Sequence, residues 1–505
     1  MGYHSKCQYE LSLWRCIQAM SLLQRLWPAA DDDVGSFVII ISALAALNGL
    51  LFGFDTGVVS GALLYMSETF PRLGTDAFLT GTVVSGAMAG AIIGAAFGGR
   101  LADRLGRRRL ILIGAILFFV GSFIMAVAPS VRILIVGRIL DGVGIGFASV
   151  VGPLYIAEIA PAKIRGSLVT LNNVAITGGI LLSYITNQYI ASMAMDAGLS
   201  WRVMLGLGMI PAMVLFTGII FMPESPRWLI EQDREQQARS VLSRIRNGAN
   251  IDAEIQDILE MSQRDEGSFR DLLRPWLRPV LVVGLGLAIL QQITGINAVV
   301  YYAPTILDAA GYSDIASLFG TIGIGLINVA LTVVAVFLVD RVGRRPLLLV
   351  GLVGMFVSLT VLAVAYTLSG MGEILGPLTI ASLMLFVAFH AVSLGSVVWL
   401  VISEIFPLNV RGAAMGVTTL VLWFANFLVA QFFPALFEVG ETVAFGVFAG
   451  IAAVGFVFVY VFVPETKGRT LEEIEADLRE ASVGNREPAI TDHVEQTDYS
   501  DYLDK

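Results

Sequence analysis

Charge is scarce in this chain, and lysine scarcer still. Asp, Glu, Lys and Arg make up 14% of the 505 residues while hydrophobic residues make up 56%. That balance is too apolar for a soluble chain of this length. The only lysines are Lys6, Lys163, Lys467 and Lys505, so nearly every cation is an arginine. With a net charge of −9 there is no basic footprint on which nucleic acid would sit. Two cysteines, Cys7 and Cys16, both precede the first apolar run, so no disulfide framework is expected. Scattered as they are, these cysteines and the three histidines make no metal-ligand cluster and no nucleophile–base pair. Neither an enzyme nor a cofactor or metal site is expected.

What fills the chain is apolar sequence in long runs. Twelve can be counted, from 37–66 to 443–463, each of about 20 residues or more, the length a helix needs to cross a bilayer. An all-α membrane protein of twelve spans follows, with lipid as its surroundings. The loop after the second run, GGRLADRLGRRR (98–109), is arginine-rich, and VDRVGRRPL (339–347) repeats it after the eighth. Loops on the other side carry little beyond Arg72, Arg132 and Arg202. By the positive-inside rule the arginine loops, and with them both termini, are cytoplasmic.

The echo is systematic. Asp103 recurs as Asp340, 237 residues on, and AEIAPAKIRG (157–166) returns as SEIFPLNVRG (403–412), 246 residues on. PESPRW (223–228) is echoed by PETKGR (464–469). A repeat of about 240 residues means two six-span halves. The expected organisation is a tail over 1–35, a first bundle over 36–222, a charged helical linker over 223–278, a second bundle over 279–463 and an acidic tail over 464–505. For residues 1–35 the expectation is a dispensable tail, or a chain that truly begins at Met20, ahead of a surface-lying amphipathic helix.

Two places break the apolar pattern with chemistry. QQITGINAVVYYAP (291–304) sets Gln291, Gln292 and Asn297 inside the seventh run. Polar groups at membrane depth are expensive unless partnered, and these amides offer more donors and acceptors than one helix contact uses. At roughly 100° per residue, Asn297 lies about 140° around a regular helix from Gln292, so the amides converge only if the helix breaks at Thr294-Gly295. Broken helices at this depth line substrate sites, and an uncharged polyhydroxylated ligand suits the amides best; interhelical glue is the alternative. The second place is Asp55 in FGFDTGVVSGAL (52–63), a carboxyl inside the first run. Its expected partner is Arg138 of the fourth run, in a pair that either titrates and carries protons or is purely structural. Asp141, three residues on from Arg138 and on the same helix face, competes for the arginine or shares it.

The set GRLADRLGRRR, GRILDG, YIAEIAPAKIRG, PESPRWL, QQITGINAVVYYAPTI, VDRVGRRPL, SEIFPLNVRG and PETKGRT, over roughly residues 37–475, resembles the sugar porter family of the major facilitator superfamily. The resemblance implies two six-helix bundles rocking around one central site, a monomeric carrier in the plasma membrane. It implies sugar contacts at Phe52, Asn173, Gln291, Gln292, Asn297, Asn328, Trp399 and Trp423, with the aromatics covering the ring and the amides bonding its hydroxyls. It gives Arg104, Glu158, Arg165, Arg341, Glu404 and Arg411 a place in a cytoplasmic latch, not in catalysis. Asn173 stands where the family usually has Gln, Ile180 where some proton-coupled xylose carriers have another Gln, and Ser396 where Pro is usual. His390 interrupts an apolar run and is read as a packed or hydrogen-bonded residue. The leading expectation is proton symport of a hexose or pentose. A facilitative sugar or inositol carrier is the alternative, although carriers of that type resembling this chain usually have Asn where Asp55 stands. A non-transporting sensor is the remaining reading.

Overall fold

A computed structural model describes residues 36–160, 165–245, 251–262, 271–368, 372–407 and 410–468. The amphipathic helix expected before Ser36 and the acidic tail after Gly468 lie outside the described residues. Everything regular among those residues is helical. Five helices come first: α1 (Ser36–Thr69), α2 (Ala77–Leu105), α3 (Arg107–Ala126), α4 (Val131–Ile159) and α5 (Arg165–Ser192). The sixth span is the pair α6 (Ala197–Gly206) and α7 (Met209–Ile220). Three short helices follow, α8 (Pro226–Glu231), α9 (Glu235–Ile245) and α10 (Ile251–Ser262). The second half comprises α11 (Arg278–Ile293), α12 (Ile296–Ala309), α13 (Asp314–Val342), α14 (Arg344–Thr367), α15 (Leu375–Val392), α16 (Leu394–Ile405), α17 (Arg411–Val439) and α18 (Glu441–Phe462). Eleven helical segments among the described residues are long and apolar enough to cross a membrane. The twelfth place in the order belongs to α5, with 28 residues.

The helices pack as two bundles. In the first, α2 lies on α4 and α1 on α5; in the second, α14 lies on α15 and α18, and α11 on α17. Small residues permit the closest approaches: a Cβ placed on Gly142 of α4 would stand 1.9 Å from the Ala87 carbonyl of α2. Backbones brought this near gain dispersion and shape fit where lipid supplies no hydrophobic drive between helices. The linker behaves differently. Trp228, Leu229, Ala238, Leu242, Ile255 and Ile258 form a small core of their own, with the acids and arginines of α9 and α10 turned out, as a water-facing cap requires.

The arginine loops are built twice on one plan. Gly106 and Gly343 have φ of 94° and 103°, the left-handed region that favours glycine, and each ends one helix and begins the next. Glu224 sits on the resulting N-terminus of α3 and accepts from the N–H groups of Arg107 at 2.9 Å and Arg108 at 3.1 Å. Glu465 does the same for Arg344 and Arg345 of α14, both at 3.0 Å. A carboxylate on free helix N–H groups is favoured by charge and by geometry. A Cβ on Gly106 would stand 2.3 Å from Glu224 Oε2, so the carboxylate fills the space a side chain would need. The guanidinium of Arg108 in turn caps the Ile220 carbonyl at the end of α7, and that of Arg345 the Tyr460 carbonyl of α18.

Candidate functional site

The seventh span does break where the amides require it. Helix α11 ends at Ile293, Gly295 takes φ 95°, and α12 starts at Ile296. The turn brings Asn297 back onto Gln292, whose Oε1 accepts from Asn297 Nδ2. Gln292 Nε2 then faces Gln291 Oε1 at 3.4 Å, and Gln291 Nε2 donates to the Leu394 carbonyl at 2.8 Å. Leu394 begins α16, just past a second break at Ser393, where α15 ends. A relay of three amides therefore joins the interrupted helices of the seventh and tenth spans. Gln291 and Gln292 are buried and Asn297 half-buried.

The aromatic residues gather partly as expected. Phe52 of α1 meets Trp423 of α17 edge to face at 5.2 Å between centroids, so one ring from each bundle closes over the middle of the molecule. Trp423 Nε1 reaches Ser149 Oγ of α4 at 3.4 Å, a partner the sequence reading did not single out. Asn173 stands half-buried on α5, Asn328 buried on α13 and Trp399 half-buried on α16, none of them hydrogen-bonded to the amide relay. Tyr301 of α12, which receives Asn426 Nδ2 at 3.2 Å, and Gln431 of α17 were also missed. Both are polar side chains inside apolar runs, the same signal that drew attention to Gln291.

Asp55, Arg138 and Asp141 form one buried cluster. Arg138 is fully buried, and its Nη1 bonds Asp55 Oδ1 and stands 3.6 Å from Asp141 Oδ2. Both carboxyls thus face one guanidinium, and the competition expected from the sequence is a shared contact with Asp55 nearer. Asp55 Oδ2, Arg138 Nη2 and both Asp141 oxygens have no hydrogen-bond partner among the described residues. Two carboxylates against one cation leave a net negative charge far from water, and one proton on either carboxyl makes the cluster neutral.

The two glutamates expected in the latch each meet the first arginine of a helix in their own bundle. Glu158 bonds Arg107 at 2.9 Å, and Glu404 bonds Arg344 at 2.8 Å and Thr466 at 2.5 Å. The Arg165 side chain lies outside the described residues, and Arg411 caps the Phe406 carbonyl at 3.1 Å. Each glutamate reaches the first arginine of α3 or α14 because the glycine turn points that side chain back along the bundle end. Arg104 and Arg341 sit in the last turns of α2 and α13, beside those turns. These ion pairs all lie within one bundle. The opposite face is different: Ser85, Thr82 and the Phe78 carbonyl of α2 bond Gln431 of α17, and Tyr184 of α5 bonds the Val300 carbonyl of α12 at 2.9 Å. The bundles are joined away from the arginines.

Comparison with known proteins follows the same lines. Residues 41–478 match the family described as sugar (and other) transporter. The putative metabolite transport protein YwtG of Bacillus subtilis is 44% identical, with 86% of this chain and 94% of that protein covered. The glucose transporter GlcP of Staphylococcus epidermidis is 42% identical, with 87% and 97% covered. The xylose transporter XylE of E. coli, in a partially occluded inward-open conformation, superimposes with a TM-score of 0.77 at 33% identity, over 86% of this chain and 100% of that one. XylE as the proton:xylose symporter bound to 6-bromo-6-deoxy-D-glucose gives 0.73 at 34% identity, over 88% and 99%. The family is one of transporters and not of enzymes, and its fold is the one found here. Two interrupted helices joined by amides and a two-bundle frame thus belong to a known group: the chain is a member of the sugar transporter family of the major facilitator superfamily.

Proposed function

We propose that this protein is a proton-coupled symporter of a monosaccharide, a hexose or a pentose, working by alternating access. The observation that carries the coupling is the Asp55–Arg138–Asp141 cluster, fully enclosed and one cation short. A buried ion pair contributes little net stability and is strongly destabilising once a partner is lost, so its place in the first and fourth spans fits a cycle of protonation better than a structural brace. A relative of similar fold is described as a proton:xylose symporter, and another as a glucose transporter. Sugar contacts are assigned to Phe52, Asn173, Gln291, Gln292, Asn297, Asn328, Trp399 and Trp423. The arginine face is taken as cytoplasmic, in the plasma membrane, with both termini on it and the monomer as the working unit. With the other face bolted, the described state is inward-facing. Arg104, Glu158, Arg165, Arg341, Glu404 and Arg411 are assigned to a cytoplasmic latch that holds the halves together when the carrier is open outward. Arg107–Glu158 and Arg344–Glu404 stay formed here, each inside its own bundle, so what the open side gives up is contact between the bundles.

The test is uptake into proteoliposomes of labelled hexoses, pentoses and inositols, with and without an imposed inward proton gradient. The expected result is accumulation of one monosaccharide above its external concentration only when the gradient is present. Equal uptake with and without the gradient replaces symport by facilitated passage, and transport of inositol alone replaces the sugar.

A further inference from the structure

One amide of the first span belongs neither to the sugar contacts nor to the charged cluster. Asn48 lies in α1, one turn before Phe52, and is 2% exposed. Its Nδ2 and its Oδ1 both have no hydrogen-bond partner among the described residues. Gly152 of α4 leaves room for the amide, since a Cβ there would stand 3.2 Å from Nδ2. Asn48 also lines an internal cavity of the first bundle, with Phe52, Gly114 and Phe118 of α3, Gly144 of α4 and Leu215 of α7. About 10 Å³ of that cavity is open to the centre of a water-sized sphere, which is room for one water.

The chemistry of the cavity asks for a guest that both donates and accepts. A carboxamide offers two N–H donors and a carbonyl with two lone pairs, and leaving these unmade inside an apolar bundle is expensive. The walls supply further acceptors. Where α3 crosses α4, Gly114 and Gly144 meet with no side chain between them. A Cβ on Gly144 would stand 2.7 Å from the Gly114 carbonyl, and one on Gly114 would stand 3.3 Å from the Gly144 carbonyl. A helical carbonyl keeps a second lone pair for another donor. Apolar cavities stay dry, whereas a cavity with two to four polar partners holds water. A sugar or a lipid chain is too large for this one.

We propose that the first bundle contains a binding site for a single water molecule, held by the Asn48 amide and by the carbonyls left open at the Gly114–Gly144 crossing. The water joins α1 to α3 and α4 at membrane depth, where lipid offers no replacement for a lost hydrogen bond. Because Phe52 lines the same cavity, the hydrated amide supports the ring that meets Trp423. The site does not depend on what is carried, so it stands or falls apart from the transport reading.

The experiment uses the full chain in lipid nanodiscs. A short X-ray pulse turns protein-bound water into hydroxyl radicals, which oxidise the side chains beside it, and mass spectrometry reads the products. Phe118, 2% exposed and lining the cavity, is the reporter. Phe386 of α15, 0% exposed and in the other bundle, is a control of the same residue type. In the parent, Phe118 should be oxidised several-fold more than Phe386, because radicals from bulk water reach neither ring. Asn48→Ala enlarges the cavity but removes the amide, and oxidation of Phe118 should fall to the level of Phe386, since space without polar partners stays dry. Asn48→Leu fills the room and should do the same. If Phe118 of the parent is oxidised no more than Phe386, the site is overturned, and that arm needs no variant to fold. If Asn48→Ala leaves Phe118 oxidised as in the parent, space rather than the amide admits the water and the assignment to Asn48 fails.

Discussion

Ser85 of α2 donates to Gln431 Oε1 of α17 at 2.7 Å, joining residues 346 positions apart and on opposite bundles. The amide nitrogen of Gln431 bonds the Phe78 carbonyl at 2.9 Å and Thr82 Oγ1 at 3.2 Å. One side chain from the second bundle is therefore saturated by three groups of a single helix in the first. Such a clasp favours the state in which this face is shut, because opening trades matched partners for water.

Replacing Gln431 with Met keeps the volume and removes the clasp. Each neutral bond contributes about 0.5–1.5 kcal/mol net, enough to change the open fraction of this face several-fold. Spin labels at Glu68→Cys and Glu438→Cys, with Cys7 and Cys16 replaced, would report the separation by pulsed electron resonance. The Gln431→Met protein should show more of the longer distance. An unchanged distribution removes Gln431 from the gate.

The amide relay makes a different prediction. Gln292→Ala or Asn297→Ala should weaken sugar binding by about 1–3 kcal/mol, since hydroxyls buried in the site lose a partner. Gln291→Ala should do more than remove a contact, because Gln291 also ties the α15–α16 break through Leu394. Thermal unfolding should separate the two kinds of effect: little change in Tm for Asn297→Ala, a fall for Gln291→Ala. Parent-like affinity in either of the first two variants means that residue does not touch sugar.

How much of this was legible in advance depends on the physics behind each residue. The break at Thr294-Gly295 followed from angle arithmetic, because three amides on one helix cannot converge without it. Asp55 and Arg138 were paired because a lone carboxyl in lipid needs a cation and few cations lie within the spans. The partners of Glu158 and Glu404 were not legible. Nothing in their motifs points to Arg107 and Arg344, which the glycine turns at Gly106 and Gly343 bring from another helix. Ser85, Ser149 and Gln431 were invisible for a related reason. A serine or glutamine in an apolar run announces a need for a partner, but the partner is chosen by how two bundles meet, which one sequence does not encode in any local pattern.

Glu465 links pH to the integrity of the arginine face. Burial alone would raise its pKa, but hydrogen bonds from the backbone N–H groups of Lys467, Arg344, Arg345 and Thr466 outweigh burial and hold it below the usual glutamate value. A carboxylate depressed on folding stabilises the native state at all pH values above its unfolded pKa. That stabilisation is lost as pH falls through the folded value. Between neutral pH and the usual carboxylate range the contribution should stay constant, then fade in stronger acid. Glu465→Gln should lower Tm at pH 7 and flatten the acid limb of the Tm–pH profile relative to the parent. Parallel profiles for the two proteins count against this role.

The coupling reading is most exposed at Asp55. Arg138 Nη1 bonds Asp55 and is 3.6 Å from Asp141, so both carboxyls are candidates for the travelling proton and only one has the nearer bond. A proton on Asp55 cancels its pull on Arg138 and frees α1 from α4, while Asp141, on the same helix as the arginine, can keep the guanidinium company in either state. The coupling free energy is then the difference in proton affinity of Asp55 between the two facing states. Asp55→Asn, a permanent mimic of the protonated form, should abolish gradient-driven accumulation in proteoliposomes and leave sugar binding and sugar–sugar counterflow largely intact. Asp141→Asn should keep accumulation, with altered rate, because the bond between Asp55 and Arg138 survives. Arg138→Leu strands two carboxyls without a cation and should cost about 3–5 kcal/mol of stability, read as a lower Tm whatever the sugar does. If Asp55→Asn still concentrates sugar and Asp141→Asn does not, the proton rides on Asp141, and α4 rather than α1 is the helix that senses it.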